Sequence, residues 1–120
     1  MTIDQKALDE LRTLDPDGSD GVLEQLINVY LKDASRLLGQ IKLALAAQDI
    51  ATLARHAHSL KSSSLSLGAS RVGELAHEIE AHARKNNVDE LPDLIVALSE
   101  AYAAAQPLLQ AEIPVPGKPA

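Results

Sequence analysis

Four histidines, His56, His58, His77 and His82, are the residues of this 120-residue chain most able to do chemistry. Near neutral pH an imidazole can serve as nucleophile, acid, base or metal ligand. Two ligands on one helix need i,i+3 or i,i+4 spacing, whereas His56 and His58 stand two apart and His77 and His82 five apart. No metal site is expected from them. A hydrolytic Ser–His–acid set draws little support from Ser62-Ser63-Ser64, because that run falls within a helical pattern and not at a strained strand-to-helix turn. The chain contains no cysteine, so a thiolate nucleophile and a disulfide framework are both excluded.

One of the histidines has unusual neighbours. From Ile50 to Gly73 there is no Asp or Glu, yet this stretch holds Arg55, Lys61 and Arg71 together with His56 and His58. The chain as a whole is acidic, with 17 acids, 11 bases and a formal net charge of −6. On a helical projection Leu53, Ala57, Leu60 and Ser64 turn inward and leave His58 beside them, partly exposed. Arg55 then lies at i−3, Lys61 at i+3 and Ser62 at i+4. Spacing alone favours a solvated helix face bearing an incidental histidine.

The elements that must position these residues are helices. Of the chain 46% is hydrophobic but only 2% aromatic, with Tyr30 and Tyr102 the sole rings, so the core rests on Leu, Ile, Val and many Ala. Residues suited to pleated sheets are too few, while Ala and Leu head the helix scale. A short first helix is expected from the capping-box spacing of Thr2 and Gln5 and the apolar series Ile3, Ala7, Leu8, Leu11 and Leu14. It stops in the turn-rich segment 15–21, where Ser19 or Asp20 is available to cap a long second helix running from Leu23 to Leu45. Asp49 opens a third helix that ends at Gly68, a C′ glycine. Ser70 caps a fourth, which closes at Asn86-Asn87. The fifth carries Leu94, Ile95, Leu98, Tyr102, Ala105 and Leu109. It begins either with Pro92 in its first turn or slightly upstream at the Asn87–Glu90 pair, and Pro107 should kink or fray its end.

Short loops between amphipathic helices make neighbours antiparallel. The expected architecture is all-α, an up-and-down four-helix bundle with an additional short N-terminal helix over residues 1–113, followed by a Pro-rich tail at 114–120. A rod of this kind has faces and little room for an enclosed catalytic pocket. Its acidic field repels phosphate backbones and anionic membrane surfaces, so neither nucleic acid nor direct membrane contact is expected. No apolar run approaches the ~20 residues needed to span a bilayer, and the N-terminus lacks the basic-then-apolar order of a signal peptide. A cytoplasmic monomer is the expectation.

The run Ala57-His58-Ser59-Leu60-Lys61-Ser62-Ser63-Ser64-Leu65-Ser66-Leu67-Gly68-Ala69 resembles the signature of histidine-containing phosphotransfer domains of bacterial two-component phosphorelays. The family repeats an Ala-His, a Leu-Lys three residues on, a Ser pair and a Gly-Ala. Leu75-Ala76-His77-Glu78-Ile79-Glu80 resembles its second block, and the five-helix layout covers nearly the whole chain. One position departs, since the family usually has glycine where this chain has Ser62.

The resemblance implies that His58 is a phosphoacceptor, taking a phosphoryl group from a receiver-domain aspartate and passing it to another. Lys61 would meet the phosphate charge, with Arg55 and Arg84 adding longer-range field. Glu80 on the facing helix would accept from the other ring nitrogen and fix the tautomer. Ala54, Ser62 and Leu65 would belong to the docking surface for the receiver. The Ser62 hydroxyl would either obstruct the partner or donate to the phosphate. No nucleotide loop or carboxylate cluster is present, so no cofactor of its own is expected. Mg²⁺ would come with the receiver. Family members occur as free shuttles and as the last domain of hybrid histidine kinases. The reading from another class is a non-catalytic helical interaction module of the same fold.

Overall fold

The computed structural model describes residues 3–113. Helix α1 spans Gln5–Arg12, α2 Val22–Ala46, α3 Ile50–Ser66, α4 Ser70–Arg84 and α5 Leu91–Gln110, with a 3-10 turn at Val88–Glu90 leading into α5. Among the described residues there is no strand, only an isolated bridge between Ile3 and Ala69. Three-residue links at 47–49 and 67–69 turn α3 and α4 back on their predecessors, and the bundle measures 49 × 21 × 21 Å. The apolar stripes meet in one core, where Ile27, Ile41, Leu53, Leu60, Ile79, Leu91, Leu98 and Leu109 are all buried. No helix among the described residues is long and apolar enough to cross a membrane.

The ends of the helices depart from the sequence expectations in instructive ways. Thr2 lies outside the described residues, and α1 is capped by Asp4, whose carboxylate accepts from the backbone N–H of Lys6 at 3.0 Å. Neither Ser19 nor Asp20 caps α2. Its N-cap is Gly21, at φ 67°, and the buried carboxylate of Asp15 reaches across the turn to accept from the N–H groups of Asp20 and Val22, both at 3.2 Å. Ser70 is the first helical residue of α4 and Ala69 occupies the cap, because Ala69 is drawn inside by the bridge to Ile3. Pro92 sits in the first turn of α5 while the upstream pair forms the 3-10 turn. Pro107 does not end α5, which continues to Gln110. The carbonyl it leaves unpaired belongs to exposed Ala103, where water can serve.

Two hydroxyl contacts, one buried and one half-buried, fix the lateral order of the helices. Tyr30 Oη and Ser64 Oγ lie 2.7 Å apart between α2 and α3, and Tyr102 Oη donates to the carbonyl of Leu31 at 2.7 Å between α5 and α2. Burial pushes the Tyr30 phenol up to about 12, with the Ser64 hydrogen bond opposing it. The turn between α3 and α4 depends on Gly68, which adopts φ +81° and accepts from the N–H of Asp4 at 2.7 Å. A Cβ at Gly68 would stand 2.6 Å from the Asp4 carbonyl oxygen, so both backbone conformation and space demand glycine. Gly39 in α2 has open space around it. Gly68→Ala is therefore expected to lower unfolding stability by roughly 1 to 3 kcal/mol, whereas Gly39→Ala should raise it by up to about 1 kcal/mol. Urea denaturation of the two variants checks this; equal effects would contradict the assigned role of Gly68.

Candidate functional site

His58 stands at the middle of α3, between Ala57 and Leu60, which face the core, and the seam with α4. Its side chain remains 54% exposed. Across the seam Ile79 and Ala83 anchor α4 in the core, which brings Glu80 to the edge of the same interface with only 9% of its side chain exposed. Helix pitch places Lys61 one turn beyond His58 on α3 and Arg84 one turn beyond Glu80 on α4.

Three of these side chains converge on the carboxylate of the fourth, Glu80. Glu80 Oε2 lies 2.9 Å from His58 Nδ1 and accepts from Arg84 Nε at 2.9 Å, with Arg84 Nη2 also at 2.9 Å. Its other oxygen, Oε1, is 3.1 Å from Lys61 Nζ. Burial favours the neutral acid, but hydrogen bonds from Lys61 and Arg84, the Lys61 charge and the His58 bond outweigh it and bring Glu80 down to about 2. An ionised carboxylate is acceptor-only, so the shared proton resides on His58 Nδ1. In the neutral ring the lone pair is then on Nε2. With Nδ1 turned to the seam and half of the side chain exposed, Nε2 is the atom open to an external electrophile.

The remaining sequence candidates are distributed around this centre. Arg55 is exposed and donates to Thr52 Oγ1 at 3.0 Å, outside the Glu80 cluster. With Arg84 it rims an open depression floored by Ile50, Ala51, Ala54 and Ala83. Ala54 itself is only 3% exposed. Its methyl therefore adds little area to the surface expected to dock a partner. Leu65 is 49% exposed, and Ser62 is exposed one turn from His58. The neighbouring hydroxyls are engaged, Ser63 with the Ser59 carbonyl, Ser64 with Tyr30 and Ser66 with the Ser62 carbonyl, whereas Ser62 Oγ makes no hydrogen bond among the described residues. His82 Nδ1 lies 3.1 Å from Asn87 Nδ2, and neither His56, His77 nor His82 bonds to Glu80. Among the described residues no three His, Asp or Glu side chains gather as a metal site. The engagement of both Lys61 and Arg84 by Glu80 lies outside the sequence expectations. Its one sequence signal was the i,i+4 spacing of Glu80 and Arg84, which suits a helical ion pair.

A fold and a site of this form define a helical bundle that presents one oriented, exposed histidine. Residues 25–107 match the Hpt domain family, and the chain belongs to it. Its sequence is 25% identical over 95 residues to histidine-containing phosphotransfer protein 1 of Arabidopsis thaliana, covering 78% of this chain. It is 32% identical over 82 residues to histidine-containing phosphotransfer protein 4 of the same plant, covering 67% of this chain. The matches span 62% and 65% of those relatives' own lengths. Among solved structures, histidine-containing phosphotransfer protein B from Pseudomonas aeruginosa superposes with a TM-score of 0.85 at 26% identity, covering 92% of this chain and 93% of that one. A histidine-containing phosphotransfer protein from rice described as putative shares the fold at a TM-score of 0.80 and 18% identity, covering 92% of this chain and 78% of that one.

The ionised state of Glu80 has a consequence for stability. Its folded-state pKa of about 2 lies below the ordinary 4.5, so its stabilising contribution is complete above about pH 4.5 and disappears as pH falls towards 2. Glu80→Gln should cost about 1 to 2 kcal/mol at pH 7, a value moderated by the partial exposure of its cationic partners. The gap between parent and variant should close between pH 4.5 and pH 2. Denaturant melts across that range check it, and a gap independent of pH would contradict the assignment.

Proposed function

We propose that this chain is a phosphorelay intermediary in which His58 accepts a phosphoryl group from a receiver-domain aspartate and passes it to another. The observation that carries this reading is the hydrogen bond between His58 Nδ1 and ionised Glu80, which turns Nε2 outward as the nucleophile. In the accepting step the Nε2 lone pair attacks phosphorus as the P–O bond to the aspartate breaks. The aspartate leaves as a carboxylate with the bonding pair. The Nδ1 proton stays in place, and the positive charge that develops on the ring is met by Glu80 at 2.9 Å. Reversal with a second aspartate returns the histidine to its starting tautomer.

The phosphoryl group brings roughly −1.5 to −2 charges, taking a phosphoester as guide. Lys61 is the nearest cation for it. Its ammonium has three donors and one is engaged by Glu80, which leaves two for phosphoryl oxygens. Arg55, at i−3 and held by Thr52, and the absence of acids from Ile50 to Gly73 keep the approach free of repulsion. Exposed Ser62 and Leu65 offer contact surface to the receiver, whose own acidic centre supplies the Mg²⁺. The module is a cytoplasmic shuttle or the terminal domain of a hybrid histidine kinase. Kinase chemistry lies with the partner, since transfer here needs only positioning and an open nucleophile.

The test is incubation with a receiver domain carrying labelled aspartyl phosphate and Mg²⁺. Label is expected to move to this chain, to be lost in mild acid and to survive alkali. His58→Gln should abolish transfer with unchanged helical circular dichroism, while changes at His56, His77 or His82 leave it intact. Label retained on the His58→Gln protein would overturn the assignment.

A further inference from the structure

We propose that Arg84 is a positioning residue for His58 that acts through Glu80 and does not act on the phosphate. The inference rests on the reading of His58 as phosphoacceptor and adds to it a residue needed to present the reactive nitrogen. Arg84 directs both Nε and Nη2 at a single oxygen, Glu80 Oε2, and this is the oxygen that faces His58 Nδ1. A fork aimed in this way spends two of the guanidinium's donors on Glu80, on the seam side of the ring and away from the outward Nε2.

The end group of a glutamate turns easily, because the torsion that rotates the carboxylate has broad minima. Left alone at the seam, Glu80 could trade oxygens or swing towards Lys61, and the His58 tautomer would lose its partner. The structure opposes this from two sides. Lys61 on α3 holds Oε1 at 3.1 Å, and Arg84 on the same helix as Glu80 holds Oε2 at 2.9 Å. The two oxygens thereby become inequivalent, and only Oε2 is presented to the ring. Arg84 is suited to this part because its spacing from Glu80 is i,i+4 and its fork is planar and pre-organised. Its side chain is 56% exposed, so it contributes little packing and can be altered without opening the core.

Two measurements on the full chain test the proposal. The first is a double-mutant cycle for acceptance of labelled phosphoryl from phosphoramidate, a small donor that needs no receiver. Imidazole attack there breaks the P–N bond and releases ammonia. Arg84→Met should slow acceptance about tenfold when Glu80 is present and less than about twofold in a Glu80→Gln background, since a residue acting through another loses its effect when that other is changed. Equal losses in both backgrounds would show Arg84 meeting the phosphate directly and overturn the proposal.

The second measurement is the ¹⁵N spectrum of the His58 ring at alkaline pH, where an ordinary imidazole is neutral. The parent should show the Nδ1–H tautomer, and Arg84→Met a mixture of tautomers with unchanged helical circular dichroism. An unchanged tautomer in Arg84→Met would also overturn the proposal. If His58 were not the acceptor, label would persist on the His58→Gln protein, an outcome distinct from both results. The tautomer spectrum would still decide whether Arg84 governs the ring.

Discussion

One carboxylate ties the molecule's chemistry to its architecture. Glu80 lies almost buried at the seam of α3 and α4, and an isolated anion in that position would be costly. It is tolerated because three donors from two helices converge on it, and each convergence imposes a geometric demand. His58 and Lys61 must share one face of α3, Glu80 and Arg84 one face of α4, and the two faces must meet in register. The helices, the turn and the core serve that register.

The turn is where the register is set. His58 and Glu80 are separated by a sharp reversal at 67–69, and Gly68 makes it by entering the left-handed region while accepting from Asp4. A second glycine, Gly73, faces the Leu65 side chain, where a Cβ would lie 2.6 Å from Leu65 Cδ2 and be relieved by a turn of that half-exposed side chain. Tyr30 and Ser64 then pin α3 to α2 by a buried hydroxyl pair, so the helix bearing His58 is held on two sides. On the proposed reading, a nucleophile whose tautomer and direction are set before its partner arrives needs little reorganisation at the moment of transfer.

Much of this was legible in the sequence, for reasons that differ from residue to residue. Apolar periodicity located the helices because burial of a stripe is a local pattern, and Gly68 and Asn86 marked helix ends because they take positive φ readily. His58, Lys61 and Glu80 were singled out by the resemblance to a known family, not by spacing alone. Three features were hidden. Asp15 caps α2 from outside the helix, at separations of five and seven residues for which no short capping pattern exists. Ala54 is almost fully buried, a fact of inter-helix packing that helical projection of one segment does not contain. The Lys61–Glu80 pair depends on inter-helix register, so Lys61 reads as a free charge in the sequence, whereas the Glu80–Arg84 pair carries its own i,i+4 signal.

The central claim is that Glu80 selects which nitrogen of His58 reacts. Phosphorylating the chain and identifying the bonded nitrogen by ³¹P–¹⁵N coupling in a protein carrying ¹⁵N-labelled histidine tests it most directly. A phosphoryl group on Nε2 of His58, with the proton still on Nδ1, is the result this account predicts. Phosphorus bonded to Nδ1 would contradict it, because that nitrogen would then have left Glu80 to act as the nucleophile.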